Sequence, residues 1–176
     1  MNQILVGQKV KLRALELEDV NLLYNWENDP EFWDISITKS PLSKHLLEQY
    51  IINAQQDVFD NKQLRLIIVE QISQLPVGMI DLYDIDLYHS KAGVGILIYN
   101  SLDRKKGLAE DTLKLVQEYT VNTLGLSQLY AHIFTDNTDS IRLFEKANFT
   151  QQGLIKQWLR VSGKVWKDAY FYQYFG

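Results

Sequence analysis

The chain has 176 residues, a formal net charge of -4, 46% hydrophobic residues and no cysteine. That length closes a core without staples, and the missing cysteine excludes disulfides, thiolate metal sites and cysteine nucleophiles. Mild acidity argues against a nucleic-acid surface, and the lack of a long apolar run argues against a membrane span. The expectation is one α/β domain over residues 1–176, soluble in a reducing cytoplasm and without a metal, since Met1-Asn2-Gln3-Ile4 lacks the basic and apolar parts of a secretion signal.

Lys9 to Leu15 alternates polar and apolar residues and predicts a half-exposed strand. Glu16, Glu18 and Asp19 start a helix whose Leu22, Leu23 and Trp26 share a face, and Asn28-Asp29-Pro30 ends it. Glu31 to Pro41 has no clean period and reads as a loop or short irregular helix of the kind that shapes pockets. Ser43 caps a second helix carrying Leu46, Leu47, Tyr50, Ile51 and Ala54. Leu64 to Glu70 and Val77 to Asp84 form an antiparallel hairpin about Ser73-Gln74-Leu75-Pro76. Ala92 to Tyr99 is the next strand, in which Gly93 and Gly95 imply either a bulge or a ligand lying along the edge.

This strand runs through Asp103-Arg104-Lys105-Lys106-Gly107-Leu108-Ala109 into an amphipathic helix, Leu108 to Leu124, closed by Gly125. A basic, glycine-bearing turn between strand and helix can aim several backbone N–H groups at one anion. Three cations at the positive end of a helix dipole are misplaced unless such an anion lies between them and the first turn. The alternative is a solvated turn, with Asp103 as cap and Glu110 and Asp111 satisfying the first turn. Gln128 to Thr135 is a strand, and Thr138 or Asp139 caps a helix carrying Ile141, Leu143, Phe144 and Ala147. Thr150 to Arg160 and Lys164 to Phe175 close the chain as two long strands joined at Val161-Ser162-Gly163. Tyr170, Tyr172 and Tyr174, read as exposed on the last strand, point to a possible homodimer.

Taken together, the turn Arg104 to Ala109 and the run from Asn137 through Ser140-Ile141-Arg142-Leu143-Phe144-Glu145-Lys146 to Phe149 are far more specific than the turn alone. They resemble the R/Q-x-x-G-x-G/A turn and the N-x-x-S-I-x-L-F/Y-E-K-x-x-F motif of the GNAT N-acetyltransferases. Lys11-Leu12-Arg13 and Asn25-Trp26-Glu27-Asn28-Asp29-Pro30 resemble the branch of ribosomal-protein N-terminal and spermidine acetyltransferases. The similarity runs from about Lys9 to Tyr174.

The resemblance implies a GNAT fold, a mixed central β-sheet with splayed parallel strands and about four helices. It implies acetyl-CoA in the split, with its pantetheine on the backbone of Leu97, Ile98 and Tyr99. The pyrophosphate would lie on Arg104, Lys105, Lys106, Gly107, Leu108 and Ala109, with Asn137 and Phe144 also contacting the cofactor. An amine attacking the thioester must first lose a proton, so Asp81, Asp84 and His132 are weighed as bases, each against an ordinary structural role. Many members carry a tyrosine where this chain has Phe144, which cannot donate a proton, and Ser140 matches a serine credited as the acid in the ribosomal-protein branch. Glu27, Asp29, Glu31, Asp34, Asp81, Asp84 and Asp86 fall in segments that the family places round the acceptor, which suits a cationic amine or a protein N-terminus. The rivals are a CoA-binding module that has lost its chemistry, suggested by Phe144, and a transferase of larger acyl groups.

Overall fold

The computed structural model describes residues 5–33, 40–161 and 165–176. Part of the irregular segment expected between Glu31 and Pro41, and Ser162 and Gly163 of the final turn, lie outside them. Among the described residues the seven strands are β1 (Val10–Arg13), β2 (Gln63–Glu70), β3 (Pro76–Asp86), β4 (Lys91–Ile98), β5 (Gln128–Phe134), β6 (Thr150–Val161) and β7 (Val165–Phe175). Among the described residues there are five α-helices: α1 (Val20–Glu27), α2 (Lys44–Ala54), α3 (Val58–Asn61), α4 (Leu108–Asn122) and α5 (Thr138–Lys146). The one-turn α3 had no periodic signal, being capped locally by Asp57 on the N–H groups of Phe59 and Asp60.

The sheet runs β1-β2-β3-β4-β5-β7-β6, and every neighbouring pair is antiparallel except β4 and β5. That pair is parallel because α4 carries the chain back across the sheet between them. One face of the sheet packs on α4 and α5, burying Leu113, Val116, Val94, Leu129, Ala131, Ile133 and Phe144 in one core. The opposite face of β2 and β3 packs on α1 and α2 through Ile67, Val69 and Met79 against Leu23, Trp26, Leu47 and Ile51.

Alternation then assigns the remaining side chains. Arg65, Asp81 and Gly95 are register partners, as are Gln63, Tyr83 and Gly93, and both rows share the α1–α2 face with Ile67, Met79 and Leu97. Tyr130, His132 and Phe134 alternate with the buried Leu129, Ala131 and Ile133, so they point to that same face.

Two expectations change. Tyr172 is fully buried, and Tyr170 and Tyr174 are partly buried against the α4–α5 core, so the last strand does not present the exposed tyrosine row expected. The tyrosines lie on the helix-covered face because the register pairs them with the buried Ile133, Ala131 and Leu129 of β5. Gly93 answers to a side chain: a Cβ there would lie 2.2 Å from the Tyr83 ring, which crosses β4 at that point. The bulge is on β3, where the register shifts between Tyr83 and Asp86 and Asp84 has φ 49°.

Candidate functional site

The parallel ladder consists of Lys91 with Gln128, Ala92 with Leu129 and Gly93 with Tyr130, and there it stops although both strands continue. Val94–Ile98 and Ala131–Phe134 are the arms of a fork. Tyr99 N–H donates to Val77 O at 3.0 Å, so by alternation the N–H groups of Leu97 and Gly95 also point to β3, while those of Val94, Ile96 and Ile98 point into the fork. Of the three residues expected to bind pantetheine through the backbone, Ile98 is the one turned that way. Arg104 closes the end of this arm, its Nε donating to Ile98 O (3.2 Å) and its guanidinium to Tyr99 O (3.3 Å).

After β4, Asn100 caps a 3-10 turn, Ser101–Asp103, and the chain turns into α4 through Lys105 (φ 62°) and Gly107 (φ 81°). Glycine holds a left-handed conformation at little cost, and here a Cβ would also lie 2.6 Å from Lys9 Nζ. Among the described residues, none of the N–H groups from Lys105 to Glu110 has an acceptor, and no side chain caps α4. Asp111, expected to satisfy this first turn, instead accepts from the N–H groups of Lys9 (2.7 Å) and Val10 (3.0 Å) and so ties β1 to α4. Asp103 pairs with Lys106 Nζ at 2.8 Å rather than capping the helix, and Lys105 is left with no acidic partner among the described residues. Lys9 adds a fourth cation that sequence spacing could not supply, its Nζ donating to Lys106 O at 2.6 Å.

On the other arm, Asn137 is the N-cap of α5 and accepts from Ser140 N–H at 3.1 Å, which leaves its amide Nδ2 available to donate. The Ser140 hydroxyl is half-buried in the first turn and has no hydrogen-bond partner among the described residues. Phe144 is 3% exposed, its ring edge-on to Phe149 at 4.9 Å, and is a core side chain.

Most of the acidic residues expected round the acceptor already have a polar partner, and Glu27 and Asp81 share one. Arg65 binds both oxygens of Asp81 (2.7 and 2.9 Å) and also donates to Glu27 on α1. Burial disfavours the Arg65 charge, but Asp81 and Glu27 outweigh it and hold the guanidinium firmly protonated. Asp29 accepts from Tyr99 OH at 2.8 Å, Glu31 lies 3.9 Å from Arg104, and Asp86 holds His89 at 2.8 Å in an exposed turn. Asp34 lies outside the described residues. Asp84 is exposed, and among the described residues its one hydrogen-bond contact is Tyr130 OH at 3.5 Å.

Beside Asp84 is an aromatic wall that sequence reading missed. Tyr83 and Tyr130 meet edge to face at 6.0 Å, and Tyr130, Phe171 and Trp158 surround His132 at 5.7, 5.3 and 5.1 Å between ring centroids. Trp158 reaches His132 because β6 shifts register between Ile155 and Leu159, with Gln157 at φ 51° bonded to Asp168.

The "Acetyltransferase (GNAT) domain" family model matches residues 9–150. The spermidine N(1)-acetyltransferase of Vibrio cholerae is 23% identical over 159 residues, covering 90% of this chain and 89% of that protein. The structure of spermidine N-acetyltransferase from Vibrio cholerae with CoA and spermine superposes with a TM-score of 0.83 at 22% identity, covering 95% of each chain. A dodecameric structure of the same enzyme gives 0.77 at 23% identity, covering 95% of this chain and 94% of that one. With the family model spanning the hairpin, the fork, the basic turn and α5, the chain belongs to the GNAT family and is an N-acetyltransferase.

Proposed function

We propose that the protein transfers acetyl from acetyl-CoA to a primary amine carried by a cationic, polyamine-like molecule. The observation that carries the reading is the fork between β4 and β5 ending at a turn whose Lys105 to Glu110 N–H groups have no acceptor among the described residues. Such a turn fits a pyrophosphate, with Lys105, Lys106 and Lys9 balancing its charge, and the fork fits an extended arm bonded by Ile98 and Ile96 N–H and by Asn137 Nδ2. Bound acetyl-CoA would supply an activated acyl group on a good leaving thiol.

The residues of the chain then divide the remaining work. Ser140, at the mouth of the fork on α5, is read as the donor to the leaving thiolate. Asp81 has both oxygens on Arg65, so we read it as part of a fixed charge cluster with Glu27 that carries net negative charge beside the acceptor. Asp84, exposed at the rim of the aromatic wall, is read as the contact for a remote ammonium, which aromatic faces also favour. The Vibrio cholerae relatives named for spermidine support a polycation. Self-association is part of the proposal, supported by the dodecameric relative and by Trp158, Val165 and Trp166, about half exposed on the β6–β7 hairpin. Use of acetyl-CoA fits a cytoplasmic protein.

The test is free-thiol release from acetyl-CoA with spermidine, spermine, an aminoglycoside, a neutral peptide N-terminus and an acidic amine. Spermidine or spermine is expected to give the highest kcat/KM, at least tenfold above the acidic amine. Equal rates across the panel would remove the charge argument, and no turnover would remove the acetyl-transfer reading.

A further inference from the structure

An acceptor ammonium must lose a proton before it can attack, and both oxygens of Asp81 are already committed to the Arg65 cation. The chain has three histidines. His45 is exposed and bonded to Gln49, and His89 is exposed and held by Asp86. His132 differs from both. It is half-buried, lies on β5 two residues past the last rung of the parallel ladder, and points to the face that carries Tyr83, Gly95 and Asp81. Neither of its ring nitrogens has a hydrogen-bond partner among the described residues, and three aromatic rings fix the imidazole plane.

Resting on the acetyl-transfer reading above, we propose that His132 is the general base that deprotonates the acceptor amine at the fork. An N–H bond of the ammonium breaks and its proton joins the imidazole lone pair. The freed amine lone pair forms the C–N bond as the C–S bond breaks, the second N–H proton ends on the departing sulfur, and the imidazolium releases its proton to water. The charge balance is that of ammonium plus thioester giving amide, thiol and one proton.

The surroundings suit the task. Burial pushes the His132 imidazole below its ordinary value, so it is neutral and able to accept a proton at neutral pH. Of the groups packed against it, Trp158 and Phe171 do not titrate, and Tyr130 on its own strand is pushed up by burial and stays neutral. The charged groups on this face include Asp84, reached by Tyr130 OH, Lys167, which sits over the Phe134 ring at 5.1 Å, and the paired Arg65 and Asp81.

The experiment is the pH profile of kcat/KM for spermidine in wild type, His132→Gln and His132→Phe, paired with histidine NMR titrations without acetyl-CoA. Wild type is expected to be flat from about pH 7 to 9, because neutral His132 acts on the abundant ammonium. Both variants are expected to fall by about a hundredfold or more at pH 7 and to climb about tenfold per pH unit, since they depend on free amine. The His132 resonance is expected to titrate below 6.5 and to shift when spermidine is added. A purely packing role predicts a uniform loss with an unchanged slope, most severe in His132→Gln, and that result would overturn the proposal. So would parallel profiles in all three proteins, or a His132 resonance indifferent to spermidine. A wild type with normal spermidine shifts but no turnover on any amine sinks the acetyl-transfer reading and this step with it.

Discussion

Arg65 is the residue on which the acceptor face depends. Its side chain joins β2 to β3 through Asp81 and to α1 through Glu27, so it fixes the helix layer on the sheet as well as the local charge. Removing it leaves two carboxylates packed against a helix without their cation, a change that costs about 3–5 kcal/mol. Arg65→Met should therefore lower the unfolding free energy extrapolated from urea titration by that amount, and adding Glu27→Leu and Asp81→Leu should restore most of it. A loss below about 1 kcal/mol in the single variant would mean that water already screens the cluster. The sequence carried a signal for this residue: in Leu64-Arg65-Leu66-Ile67, Arg65 shares the strand parity of Ile67 and Val69, which face the α1–α2 core. A charged side chain on a core parity is a demand for partners. The partners themselves were not legible, because Glu27 is 38 residues away and reaches Arg65 only once α1 packs on β2.

At the scale of elements, α5 carries the motif's chemistry on one end and its packing on the other. Asn137 and Ser140 open the helix, and Phe144, about one turn past Ser140, is buried against Phe149. A hydroxyl that acts only as the thiolate leaves should change kcat and not ground-state affinity. Ser140→Ala is accordingly expected to lower kcat about ten- to hundredfold while acetyl-CoA affinity stays within about twofold. Phe144→Tyr is expected to raise kcat by less than about tenfold and to cost about 1–3 kcal/mol, because its new hydroxyl enters a core position. A Phe144→Tyr variant that gained a hundredfold, with Ser140→Ala silent, would shift the acid role to residue 144. The motif spacing was readable in the sequence, as was the cap at Asn137. The depth of Phe144 was not, since burial depends on α4 and β7 packing from far along the chain.

Over the whole molecule, the order of the strands and of the longer helices followed from periodicity and turn chemistry, down to the hairpin at Gln74 and the end of α1 before Pro30, while the one-turn α3 did not. Side-chain direction was less accessible where two strands of equal polarity pattern compete. The tyrosines of β7 read as exposed because they alternate with Phe171 and Gln173, and only the register of β7 against β5 decides which row the helices cover. The fork was legible only through the resemblance, because no local rule says where a parallel ladder stops. Its use as an acetyl-CoA site is the central claim, and calorimetric titration of acetyl-CoA into wild type, Gly107→Glu and Lys105→Glu tests it most directly. Lys105→Glu inverts an exposed charge with no acidic partner among the described residues, so it should keep the fold and weaken binding about tenfold or more. Gly107→Glu should abolish binding, with circular dichroism showing that the chain remains folded. Wild-type affinity in both folded variants would contradict the assignment of the turn and, with it, the path of the cofactor into the fork.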